Sequence, residues 1–112
     1  MNSTFEEMVK CKIIAEYYGI ERQKEQAMEE MSELIQAIQK LKRCPMSIDD
    51  YKKAMDNFVE EIADVYIMIC QLMILTNGEK VVSVMHEKLE RQMKRIEEEK
   101  SVKVKVVEDD NN

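Results

Sequence analysis

The chain has 112 residues, a formal charge of −6 and 45% hydrophobic residues, enough for one small domain with a core and without the overall positive field that attracts nucleic acid or anionic membrane. Three cysteines (Cys11, Cys44, Cys70) and a single histidine argue against a disulfide framework and a structural zinc site. Two glycines and one proline, among many Met, Glu, Lys, Ile and Gln, favour helices over sheet.

In chain order, Ser3 or Thr4 can cap a first helix that runs to about Tyr18, with Glu6 and Glu7 at its positive end. Gly19 breaks it. A second helix is expected from about Glu21 to Lys42, ended near Pro45. Ser47 followed by Asp50 resembles a capping box that opens a third helix near Ile48. It continues to about Thr76, where Asn77-Gly78 is a stop signal. A fourth helix is expected from about Glu79 to Glu99. Residues 101–112 alternate Val and Lys before an acidic end and read as a flexible tail, with a short strand as the alternative, on a single domain of residues 1–100. The expected fold class is all-α, a four-helix bundle-type domain.

The polar residues from Met1 to Glu7 do not form a signal peptide. The most apolar stretch, Ile62 to Leu75, contains Asp64 and Gln71 and is shorter than the roughly 20 residues a membrane span needs. The expectation is a cytoplasmic protein with neither nucleic acid nor membrane as partner.

Two acidic clusters hold the chemistry: Glu29-Glu30-Met31-Ser32-Glu33 and Glu60-Glu61-Ile62-Ala63-Asp64. At about 100° per residue, positions 27, 28, 31, 34, 35, 38 and 41 form an apolar stripe on the second helix, and 55, 58, 59, 62, 65, 66, 69 and 73 form one on the third. Glu30 and Glu33 lie on one flank of the first stripe, and Glu61 and Asp64 on the same flank of the second. Two antiparallel helices packed by these stripes can bring the pairs face to face. One such cluster is ordinarily a solvated face. Two in the same register, with Asp64 inside a helix apolar nearly all round, are costly without a cation. Carboxylate oxygens suit Mg²⁺, with Mn²⁺ as an alternative. Glu29 and Glu60 point further round and are candidates to orient water.

On the fourth helix Lys88, Arg91 and Arg95 share a flank of the stripe 82, 85, 89, 93 and 96. Singly, each is a solvated cation; together, beside a metal, they suit phosphate oxygens. The chain has no Gly-rich phosphate loop.

Glu-Glu-x-x-Glu followed after a hairpin by Glu-Glu-x-x-Asp resembles the signature of the MazG-like, all-α nucleoside triphosphate pyrophosphohydrolases. It stands here as E-E-M-S-E-L-I-Q-A-I and E-E-I-A-D-V-Y-I-M-I, and the resemblance covers roughly Tyr18 to Glu98. It implies Glu30, Glu33, Glu61 and Asp64 as Mg²⁺ ligands. Gln23, seven residues before Glu30, fits a Gln of small members and is carried over as a substrate contact. The last-helix motif Asn-x-Lys-x-x-Arg-Arg is matched at Lys88 and Arg91, which would touch phosphates, with Arg95 on the same flank. His86 stands for the Asn and Gln92 for the second Arg. His86 therefore enters as a substrate contact with a packed interfacial histidine as its alternative. The implied reaction is hydrolysis of a (d)NTP between the α and β phosphates to a monophosphate and pyrophosphate. Glu29, Glu33 or Glu60 would orient or deprotonate the attacking water.

Ile67, Cys70 and Ile74 extend the apolar surface of the third helix beyond its main stripe, so a homodimer or homotetramer is expected. Other outcomes consistent with the residues are a relative acting on dUTP, dCTP or phosphoribosyl-ATP, and a non-catalytic helical oligomer or binding module. A di-iron bundle needs Glu-x-x-His pairs, which one His86 cannot supply.

Overall fold

A computed structural model describes residues 4–43 and 46–110. It has three α-helices and, among the described residues, no strand: α1 (Phe5–Leu41), α2 (Ile48–Leu75) and α3 (Gly78–Asp110). Thr4 caps α1 through a reciprocal box. Its Oγ1 accepts the Glu7 N–H at 3.2 Å, and its own N–H donates to Glu7 Oε2 at 3.2 Å. The alternative cap, Ser3, and the expected breaker, Pro45, lie outside the described residues.

The expected first and second helices are one element with a corner in it. Gly19 has φ 79° and ψ 166°, a conformation open essentially to glycine alone, so the chain bends there without losing helix on either side. The expected break at Gly19 is present as a kink inside one continuous element, so the four expected helices count as three. Ser47 caps α2 by accepting the Asp50 N–H at 3.1 Å. The Thr76 hydroxyl donates to Leu72 O at 2.7 Å at the other end.

Asn77, expected as part of a stop, starts the next helix: its Oδ1 accepts the Lys80 N–H at 3.1 Å. α3 also runs on to Asp110, past the expected end near Glu99 and through the segment expected to be a tail. Valine costs a helix only a few tenths of a kcal/mol (~0.5), and no Gly or Pro follows Gly78. Alternation of Val and Lys alone therefore does not stop it.

The first compact unit ends at Thr76 and the second begins at Asn77. In the first, Gln23 of α1 meets Gln71 of α2, and Glu30 meets Glu61. Position rises on one helix as it falls on the other, so the pair is antiparallel. Its buried residues are Ala15, Ala27 and Ala37 of α1, and Val65 and Met68 of α2, with Gln23 and Gln71 beside them. This contact face shares Ala27 and Val65 with the apolar stripes read from the sequence but is not centred on them. On both helices it is rotated by about 90° toward the glutamates, so Met28, Ile35, Val59 and Ile62 stay exposed while Glu30, Glu61 and Asp64 are half-buried.

The second unit is α3, which carries apolar residues along one face, with Met85, Leu89 and Met93 about half-exposed. Among the described residues no helix is long and apolar enough to cross a membrane.

Candidate metal centre

Rotation of both helices toward their acidic flanks creates the site. Glu30 and Glu33, three apart on α1, and Glu61 on α2 each offer a carboxylate oxygen, all within 4.8 Å of one another. Glu33 lies at the solvent edge, and Glu30 and Glu61 lie deeper. Three anions this close raise the energy of one another's charged forms. Glu33 registers it: the Glu30 charge foremost, then burial, then the charges of Glu61 and Glu29, hold its carboxyl above the ordinary glutamate range.

The deeper oxygens are the more informative. Glu30 Oε2 and Glu61 Oε2 are buried and have no hydrogen-bond partner, an arrangement that costs free energy unless something binds there. The other oxygen of Glu30 is engaged: Gln26 Nε2 donates to Glu30 Oε1 at 2.9 Å. A hard divalent cation fits this donor set, which is all oxygen and all acidic.

The expected residues separate as follows. Glu30, Glu33 and Glu61 converge. Asp64 is half-buried on α2, three residues from Glu61, and its oxygens are outside the converging group. Glu29 and Glu60 are exposed. Gln23 is buried, with its Nε2 donating to Gln71 Oε1 across the helix pair. His86, Lys88, Arg91 and Arg95 are exposed on α3. At about 100° per residue the three cations share one flank there, with His86 at the other edge of the stripe.

Two polar residues of the helix pair escaped sequence reasoning, Gln26 and Gln71. Gln26 precedes Glu30 by four residues, the spacing at which helical side chains touch, and that spacing could have flagged it. Gln71 interrupts an apolar run, a sign that it needs a partner.

Cys11 and Cys70 are free thiols. Burial, then the neighbouring Cys70 and Glu7, push the Cys11 thiol up, which disfavours its thiolate. Cys44 lies outside the described residues.

Compared with models of protein families, with curated proteins and with solved structures, the chain matches none.

Proposed function

We propose that the chain is a Mg²⁺-dependent nucleotide pyrophosphohydrolase that cleaves a (d)NTP between the α and β phosphates, giving a monophosphate and pyrophosphate. The observation that carries this is the meeting of Glu30, Glu33 and Glu61 within 4.8 Å, with buried oxygens of Glu30 and Glu61 unpartnered. The resemblance of the two acidic motifs to MazG-like enzymes supports the choice of substrate class.

Glu30, Glu33, Glu61 and Asp64 would hold Mg²⁺, or Mn²⁺ in its place. Asp64 lies about one turn from Glu61 on the same flank of α2 and is half-buried. When bound, the cation would offset phosphate charge and lower the pKa of an attacking water. Glu29 and Glu60 are exposed beside the ligand carboxylates in sequence, and with Glu33 they are the residues available to orient that water or take its proton. Lys88, Arg91 and Arg95 would bind phosphate oxygens by charge and by the guanidinium fork, with His86 on the base or sugar side. Gln23 enters as a substrate contact by resemblance only, because its amide is engaged with Gln71.

The apolar residues left exposed on α1 and α2 support a homodimer or homotetramer, in which a second chain can complete the site.

The test is incubation with a panel of nucleotides and Mg²⁺, with identification of products. Monophosphate plus pyrophosphate supports the assignment, and the preferred nucleotide separates a general enzyme from one specialised for dUTP, dCTP or phosphoribosyl-ATP. The substitutions of His86 and Gln92 for the Asn and Arg of the related motif favour one second reading, a binding module of the same architecture. It predicts nucleotide and cation binding without turnover in the same panel.

A further inference from the structure

A carboxylate that binds a cation through one oxygen leaves the other to be fixed by the protein. Unfixed, the group rolls about its terminal torsion, which is broad and roughly two-fold, and presents either oxygen. Neighbours that orient metal ligands in this way are worth about 10–100-fold in affinity.

The two oxygens of Glu30 have different surroundings. Oε1 accepts from Gln26 Nε2 at 2.9 Å, and Oε2 is buried and unpartnered. The donor comes from the preceding turn of α1, at the i, i+4 spacing, and the bond is part-buried. Water therefore competes poorly for it. An amide can donate here without adding charge. A lysine at the same place would neutralise Glu30 and weaken it as a ligand, and a glutamate would add a fourth anion to Glu30, Glu33 and Glu61.

We propose that Gln26 is the positioning residue of the cation site: its amide occupies Glu30 Oε1 and so turns Glu30 Oε2 toward Glu33 and Glu61. This rests on the cation reading above and assigns Gln26 no contact with the ion.

The experiment is Mn²⁺ titration of the full chain, followed by electron paramagnetic resonance of free Mn²⁺, for wild type, Gln26→Met, Glu30→Ala and the double variant. Methionine matches glutamine in length and helix preference but donates no hydrogen bond. Gln26→Met is expected to weaken Mn²⁺ binding by about tenfold or more while leaving the unfolding temperature of the metal-free protein unchanged. In the Glu30→Ala background the same substitution is expected to change nothing further, because Gln26 acts through Glu30. Equal affinity of wild type and Gln26→Met overturns the proposal and leaves the cation site standing. An equal loss in both backgrounds overturns it in favour of a general packing role. If wild type binds no Mn²⁺, with or without nucleotide, the cation reading itself fails and Gln26 has nothing to position.

Discussion

Glu33 sits in the field of Glu30, Glu61 and Glu29, and its charged form is disfavoured in the folded chain. Its folded pKa lies above its unfolded one. The stability it contributes is therefore fully present below the ordinary glutamate pKa and is lost as pH rises through the raised value. Metal-free protein is expected to gain stability from Glu33 as pH falls through that window. A bound cation reverses the sign, since a ligand carboxylate must be deprotonated. Thermal unfolding from about pH 4 to pH 7, with and without Mn²⁺, reads both slopes, and parallel slopes would separate Glu33 from the cation. At the same scale, Glu30→Gln and Asp64→Asn are expected to abolish turnover and lower Mn²⁺ affinity by about tenfold or more, with helical circular dichroism unchanged. Retained turnover in Asp64→Asn would remove Asp64 from the ligand set, in line with its place outside the converging oxygens.

At the scale of elements, α1 depends on one residue. A Cβ at Gly19 would meet nothing within 4 Å, so Gly19→Ala tests the backbone alone. The expected loss is about 1–3 kcal/mol, the cost of placing a side-chain-bearing residue in that conformation, read as a lower denaturation midpoint. An unchanged midpoint would mean that α1 can straighten without penalty. Helix caps and the start of α2 were legible in the sequence because they depend on neighbours three residues apart, as Thr4 with Glu7 and Ser47 with Asp50. The grouping of Glu30, Glu33 and Glu61 was legible because both motifs share one register. The packed face was not. Hydrophobic periodicity finds the greasiest side of a helix, here Met28, Ile35, Val59 and Ile62, and these remain exposed. The buried residues of α1 are instead Ala15, Ala27 and Ala37, with Gln23, and alanine's small size weighs little in a hydrophobicity pattern. The extension of α3 to Asp110 was not legible, because alternating Val and Lys has no helical apolar period although neither residue stops a helix.

For the whole molecule, the buried side chains of the helix pair are mostly small, and the only larger apolar ones among the described residues are Val65 and Met68. Such a core supplies little of the burial that folding needs. The larger side chains left outside are the natural reserve, and they are buried if copies of the chain associate. Light scattering is expected to give a dimer or tetramer, and the unfolding midpoint is expected to rise with protein concentration. A monomer with a concentration-independent midpoint would refute assembly.

Gln23 and Gln71 bear on how α1 and α2 align within one chain. Two apolar helices can slide past each other by a turn and lose little, because one alkyl surface resembles another. A hydrogen-bonded pair of buried amides does not slide. Moved by one turn, each amide faces hydrocarbon, at about 1–3 kcal/mol apiece. Glu33 follows Gln23 by ten residues and Glu61 precedes Gln71 by ten, so the alignment that joins the amides is also the one that brings these two converging carboxylates level. The pair works as a vernier mark: misaligned hairpins carry the penalty, and the acidic residues of the two helices meet in the one alignment that avoids it.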